Sequence, residues 1–320
     1  GFTIQTITGD PPAPIKGQVW YNTTSNVLKG RISGAGAWAS GGATNTGRDS
    51  NAGAGTRDAA LSMGGRSTPH PTVTANVEFY DGSTWTEQAN LNQQRQLAAG
   101  SGSQTAALCI SGSYPGSGDL LTNNEEYNGT SWSEDNNVNT ARRSAGSAGT
   151  SAPASLLFAG RNGGYYGNTE SWNGTSWTEV NNVNTARGYI SGAGSQTDAI
   201  LVAGSNGANQ SLFETWDGTS WTETTNINTA RSSAVSAGTS TGALFYGGNV
   251  PPPTSTLTES WNGTAWTEIA DLSQSRYDFA GASCTDSNTA ALAVGGYPAY
   301  MTTTEEWDGA PASTVTFTSS

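Results

Sequence analysis

Charge is the scarcest commodity in this 320-residue chain. Charged residues make up 12 % of it, against about a quarter in an ordinary globular domain. Lys16 and Lys29 are the two lysines, and the formal net charge is −12. A nucleic-acid ligand is thereby excluded, because a phosphate backbone demands a basic footprint. His70 is the one histidine, which removes His-dependent triads and His-rich metal sites. Cys109 and Cys284 are the two cysteines, too few for a disulfide scaffold; both read as buried small hydrophobes. No apolar run approaches the roughly 18 residues that span a bilayer, so membrane insertion is not expected. Helical periodicity is missing throughout.

What is abundant is glycine (42 residues), with Ser, Thr and Asn around it and 11 Trp and 11 Tyr. Turn-forming residues in this number imply short strands. The aromatics supply the core that a disordered, weakly hydrophobic chain would lack.

The order of these residues is a repeat. A Trp followed two positions later by Glu recurs at Trp85, Trp132, Trp177, Trp221 and Trp266, at intervals of 47, 45, 44 and 45 residues. Trp38 stands 47 residues before Trp85 and extends the series. Each unit reads as four strands. The first follows an Arg and consists of small residues; the second is apolar and ends in Gly. The third is Glu-x-aromatic, as in Glu170-Ser171-Trp172, and the fourth carries the Trp-x-Glu. Between third and fourth stands Asn-Gly or Asp-Gly, at Asp81, Asn128, Asn173, Asp217 and Asn262, a strong hairpin signal. Four antiparallel strands in about 45 residues fit a propeller blade. Small first strands suit a crowded axis, and the outer Trp fills the gap that widens between neighbours. Burying one Trp removes about 150–250 Å² from water, worth about 4–6 kcal/mol.

First strands are counted after Arg48, Arg95, Arg142, Arg187, Arg231 and Arg276, six in all. The last unit reaches Glu305-Glu306-Trp307 and Asp308-Gly309 without a following Trp-x-Glu, whereas the segment around Trp38 is a fourth strand without its blade. The expectation is an all-β, six-bladed propeller over 37–320 whose last blade is closed by the strand around Trp38. A short hairpin segment, 1–36, precedes it.

The run of apolar strand, Gly-Gly, Glu-x-Trp/Tyr, Trp and a later Arg resembles the kelch repeat. The wording WNGTSWTE…NTAR resembles kelch-like proteins of marine phages, and GQVWYNTTSNVLKG from Gly17 resembles a hairpin of phage tail-fibre and other virion appendage proteins. The resemblance implies a virion structural protein, present in many copies and extracellular on the particle: a tail fibre, a decoration or a host-attachment appendage. The N-terminal segment would then meet other virion proteins. A secreted bacterial lectin or adhesin of the same fold is the alternative reading, and a propeller glycosidase is a third.

Two sets of side chains stand out. The six repeat arginines (Arg48, Arg95, Arg142, Arg187, Arg231, Arg276) make either a ring of cations near one channel mouth or structural partners for the repeat glutamates (Glu78, Glu125, Glu170, Glu214, Glu259, Glu305, or the Trp-x-Glu set). A feature copied into every blade usually serves the blade, so the structural role is expected. The loops between second and third strands differ from unit to unit, as binding loops do. Their tyrosines, Tyr114, Tyr165, Tyr166, Tyr297 and Tyr300, offer flat apolar bodies with polar tips. They are the candidate surface for host glycans or a neighbouring subunit.

Catalysis finds little support. The copper site of kelch-containing galactose oxidases needs more than one His. In Tyr80–Trp85, Asp81 directly precedes Gly82, so the spacing departs from the sialidase Asp-box. The sequence carries no metal-ligand spacing and no cofactor motif, and no enzymatic activity is expected. The sequons at Asn128, Asn173 and Asn262 lie in the hairpin turns, where turn chemistry accounts for them.

Overall fold

A computed structural model of the chain describes residues 4–12, 18–32, 36–69, 72–114, 120–250, 254–282, 287–309 and 313–317. His70, Cys284 and Lys16 lie outside them. The chain divides into two units: Trp38–Asp308, and a smaller one made of Gly1–Ala37 with Gly309–Ser320.

Among its described residues the larger unit contains six four-stranded sheets. Sheet 1 runs from Ala52–Thr56 through Ala59–Met63 and Val77–Tyr80 to Trp85–Gln88. Sheet 2 comprises Ala99–Ser103, Ala106–Ile110, Asn124–Tyr127 and Trp132–Asp135, and sheet 3 Gly146–Ser151, Ala154–Phe158, Thr169–Trp172 and Trp177–Val180. Sheet 4 is Ser191–Gly194, Ala199–Val202, Phe213–Trp216 and Trp221–Glu223; sheet 5 is Val235–Thr239, Gly242–Tyr246, Thr258–Trp261 and Trp266–Glu268. Sheet 6 takes Ala280–Ala282, Ala290–Val294 and Thr304–Asp308, and its fourth strand is Ala37–Ser40. Gly41 N donates to Thr304 O at 3.0 Å, and the Trp38 and Trp307 rings lie 5.5 Å apart.

The fourth-strand hairpins deviate from the tightest kind. The Trp172–Trp177 pair encloses four residues, and of the Asn-Gly pair only Gly174 adopts positive φ, +87°. Asn173 instead accepts the N–H groups of Thr175 and Ser176 on its side-chain oxygen, at 2.9 and 2.8 Å. Asn and Asp are selected here as turn acceptors.

The core lies between the sheets. Trp172 and Trp177 of sheet 3 pack on Ala99, Leu108 and Ile110 of sheet 2, and Trp216 and Trp221 of sheet 4 on Leu156 and Phe158 of sheet 3. Tyr80 and Trp85 of sheet 1 meet Ala280, Leu292 and Val294 of sheet 6. Near the axis the innermost strands approach closely: a Cβ on Gly53 would stand 2.3 Å from the Gly281 carbonyl, and one on Gly100 would stand 2.5 Å from that of Gly53. Small first strands are a steric requirement of this packing.

The outer Trp also hydrogen-bonds to its neighbour sheet where a Thr precedes the repeat Glu. Trp38, Trp85 and Trp221 donate Nε1–H to Thr258, Thr304 and Thr169, each at 3.0 Å. At the matching positions stand Val77 and Phe213, and among the described residues Nε1 of Trp132 and Trp266 has no acceptor. Val77→Thr is therefore expected to leave the melting temperature unchanged or raise it. An unpartnered buried hydroxyl ordinarily costs about 1–3 kcal/mol, and a loss of that size in thermal melts would mean Trp132 does not take up the new acceptor.

The smaller unit is one sheet, Gln5–Ile7, Val19–Asn22, Val27–Ile32 and Ser313–Phe317, in that order. This corrects the expected boundary, which placed residues 37–320 in the propeller: the final strand pairs antiparallel with Val27–Ile32. The physical reason is edge closure, since Ser313–Phe317 covers the free edge of the Val19–Ile32 hairpin. Trp20 is fully buried. Asp10 gathers Trp20 Nε1 at 3.1 Å, Asn22 Nδ2 at 2.7 Å and Lys29 Nζ at 2.9 Å. The hydrogen bond from Lys29, then that from Asn22, holds the Asp10 carboxyl below its ordinary range.

Candidate functional site at the mouth of the ring of sheets

The linker entering each sheet carries Asn-Thr-x-Arg or a variant, and the structure shows where those side chains go. Asn184 donates its backbone N–H and Nδ2 to Glu214 Oε2, at 2.7 and 2.9 Å, and Nδ2 also reaches the Trp221 carbonyl at 3.0 Å. Arg187 meets the other oxygen of Glu214 at 2.5 Å and donates Nε–H to Ala203 O at 2.9 Å. The same clamp recurs: Arg48–Glu78 at 2.7 Å, Arg95–Glu125 and Arg142–Glu170 at 2.5 Å, Arg231–Glu259, and Arg276–Glu305 at 2.8 Å. All six arginines are buried. Burial pushes the guanidinium of Arg187 down from its ordinary value, and Glu214 opposes that. These arginines lie inside the sheets, not on a mouth, each paired with a repeat glutamate. The Trp-x-Glu carboxylates (Glu87, Glu134, Glu179, Glu223, Glu268) are exposed and take no part in the pairs.

The residue pair after each clamp makes the mouth. Ser50, Leu97, Ser144, Tyr189, Ser233 and Asp278 all adopt left-handed φ, between 50° and 54°. Non-glycine residues hold that conformation at a cost, here offset by hydrogen bonding. Leu97 N donates to Ser50 O, Ser144 N to Leu97 O, Tyr189 N to Ser144 O, Ser233 N to Tyr189 O, Asp278 N to Ser233 O and Ser50 N to Asp278 O, at 2.6–3.0 Å. The six bonds return to their starting residue. All six residues line one cavity of about 100 Å³ on the axis.

Around this cycle stand six antiparallel bridges: Asp49 with Arg66, Gln96 with Ser113, Arg143 with Arg161, Gly188 with Ser205, Ser232 with Asn249, and Tyr277 with Tyr297. Their backbone geometry is common and their side chains are not. Arg66 grips Asp49 through Nε at 2.7 Å and Nη2 at 3.1 Å. Tyr277 and Tyr297 face each other at 5.0 Å. Arg161 stacks on Tyr165 and Tyr189, at 5.7 and 5.2 Å, and donates Nη1–H to the Tyr189 hydroxyl at 2.6 Å.

Of the tyrosines singled out in the loops, Tyr297 stands in the Tyr277 bridge and is exposed. Tyr300 is half-buried and lies within electrostatic reach of Asp49, Arg66 and Tyr297. Tyr165 and Tyr166 flank the Arg143–Arg161 bridge, half-buried, and Tyr114 is exposed on the loop of sheet 2. They fall into two groups, by sheets 3 and 6, with Tyr114 apart, instead of a single aromatic surface. The sequence reading passed over Arg143, Arg161, Tyr189, Asp49, Arg66, Tyr277 and Asp278. The signal for Asp49, Arg143 and Tyr277 is the position directly after each repeat Arg, which changes from unit to unit; Tyr189 and Asp278 stand one position further on, and Arg66 and Arg161 follow the glycine that ends the second strand.

Asp278 has the most unusual setting. Desolvation at the mouth raises its carboxyl above the ordinary range; the hydrogen bond with Ser233 works against this, and the charge of Asp49 adds to it. A carboxyl that titrates higher in the fold than in the unfolded chain loses stability as pH rises through that interval, and the loss persists above it. Asp278→Asn, which also suits left-handed φ, is expected to raise the melting temperature at pH 7. At pH 3 both states hold the proton and the gain should shrink. A lower melting temperature at pH 7 would contradict this setting for Asp278.

Cys109 is a free, fully buried thiol, and burial pushes its pKa up to about 12. It is packing material in the core between sheets 1 and 2. Among the described residues no group of His, Cys, Asp and Glu has the makings of a metal site.

An all-β chain of radially repeated four-stranded antiparallel sheets, its core between them and its variable residues at one axial mouth, has the fold of a β-propeller. No family model and no curated protein matches it. Among solved structures it is similar to one described as "Structure of YjhT", with a TM-score of 0.68 at 13 % identity, covering 83 % of this chain and 95 % of that one. At that identity the likeness concerns the fold.

Proposed function

We propose that this chain is a closed six-bladed kelch-like propeller acting as a non-enzymatic binding module of a virion, as a fibre, appendage or decoration protein. One observation carries the binding reading. Clamp, Trp wedge and backbone cycle recur from sheet to sheet, while the bridge pairs at the mouth differ in charge, size and polarity. A repeated scaffold with one divergent face is how rigid folds present recognition residues. The six-membered hydrogen-bond cycle supports the count of blades, and the pairing of Ala37–Ser40 with Thr304–Asp308 supports closure by the N-terminal strand. The virion assignment rests on the repeat wording and the hairpin from Gly17.

The smaller unit is the attachment end in this reading. Its sheet exposes Ile4, Val19 and Phe317, apolar side chains suited to another virion subunit. The mouth meets the host surface or a neighbouring copy, and many weak contacts on one particle add up to firm attachment. Mass spectrometry of purified particles tests the assignment: the chain should be present at structural-protein abundance, and its absence would sink the virion reading. Incubation with polysaccharides should release no reducing ends.

A further inference from the structure

Arg143 and Arg161 are the residues the scaffold leaves unexplained. They are direct partners in an antiparallel bridge, with N–H···O bonds of 3.1 and 2.9 Å in both directions. Residues so paired project to the same face with Cβ atoms about 5 Å apart, where like charges repel. No other bridge at the mouth carries like charges; the equivalent in sheet 1 pairs Arg66 with Asp49. Among the described residues of the larger unit, every other arginine has a carboxylate partner. Arg143 and Arg161 have none. Nη1 of Arg161 is fixed by the Tyr189 hydroxyl. Two arginines are thus paired across one bridge without a carboxylate partner among the described residues, in a protein of net charge −12. A carboxylate is the group that such a pair is equipped to bind.

The surroundings define what carries the anion. Tyr165 and Tyr189 put aromatic faces against Arg161, and Tyr166 follows Tyr165 in the same loop. Ser50, Asn51, Ser144 and Ser233 supply hydroxyl and amide groups along the adjoining cavity. Aromatic faces take the C–H side of a pyranose, and hydroxyls and amides take its hydroxyls. An acidic peptide would look for a free strand edge, yet the bridges already occupy the edges here. With about 100 Å³, the cavity has room for a few waters or a substituent, so the sugar ring lies over the mouth.

We infer that Arg143 and Arg161, flanked by Tyr165, Tyr166 and Tyr189, form a site for a carboxylate-bearing polysaccharide. This rests on the mouth being the binding face, and it deepens that reading by naming the ligand class. The probe is polygalacturonate, with neutral dextran and poly-glutamate as comparisons, measured by calorimetry on the full chain. Polygalacturonate should bind and weaken with added salt; dextran should not bind, and poly-glutamate should bind less well. Arg143→Ser with Arg161→Ser should weaken polygalacturonate about tenfold or more, as expected for two charged hydrogen-bond donors. Tyr165→Ala should weaken it less. Arg57→Ser, which removes a cation elsewhere, should leave it unchanged.

Because Arg143 has no carboxylate partner among the described residues and faces a second cation across the bridge, the single variant Arg143→Ser should melt no lower than the parent, which a purely structural role would not allow. No binding of polygalacturonate, equal binding by dextran or poly-glutamate, or undiminished binding by the double variant would each overturn the inference. None of these outcomes bears on whether the chain is found in particles. Conversely, absence from particles would leave polygalacturonate binding untouched.

Discussion

Replacing Glu214 with Ala is expected to cost about 3–5 kcal/mol, the usual penalty for leaving a buried charge without its partner. Arg187 would keep only carbonyl acceptors, at Ala203 and Thr185, the backbone N–H of Asn184 would lose its acceptor, and its Nδ2 would keep only the Trp221 carbonyl. The clamp joins the incoming linker to the third strand of the sheet and, through Asn184, to the fourth. Its loss should loosen a whole sheet. Denaturant unfolding with an unchanged slope gives the number. The pair Arg187→Met with Glu214→Leu should cost less than Glu214→Ala alone, because no buried charge remains. The exposed Glu223→Ala should stay within about 0.5 kcal/mol of the parent. A loss below about 1 kcal/mol for Glu214→Ala would mean that the clamp is not needed for stability.

Removing the Trp177 side chain should be comparably severe, about 3–5 kcal/mol for truncation of a buried aromatic. Trp177 is 6 % exposed. It fills the wedge between sheets 2 and 3, against residues whose own sheet cannot cover them. Since its Nε1 has no acceptor among the described residues, the loss measures packing alone. Trp221→Ala should cost at least as much, because it also removes the hydrogen bond to Thr169. A change below about 1 kcal/mol for Trp177→Ala would place that side chain somewhere other than between sheets.

The scaffold was legible because it repeats. Glu-x-aromatic and the linker arginines recur six times and Trp-x-Glu five times, and repetition turns a weak local signal into a firm one. It also separates framework from decoration: Glu214 and Arg187 belong to the motif and are buried together, whereas Arg143 and Tyr277 follow a motif Arg and differ from their counterparts. The mouth escaped sequence reading for a physical reason. Five of its six residues reach the axis through left-handed φ at Ser, Leu and Tyr, types that do not advertise that conformation as Gly, Asn or Asp would. The pairing of Arg143 with Arg161 depends on a bridge between residues 18 positions apart, invisible to strand periodicity. The final strand was missed because Ser313–Phe317 closes an edge formed near the other end of the chain, and its five residues carry no repeat signal.

Amide hydrogen exchange of the intact protein, read over Ala37–Ser40, probes the circular arrangement most directly. This strand should exchange as slowly as its counterpart Trp177–Val180 and lose protection at the same denaturant concentration, because in the proposed closed propeller both complete a sheet. Rapid exchange at Ala37–Ser40, with the other fourth strands protected, would mean that sheet 6 stands open and the two ends of the repeat do not meet.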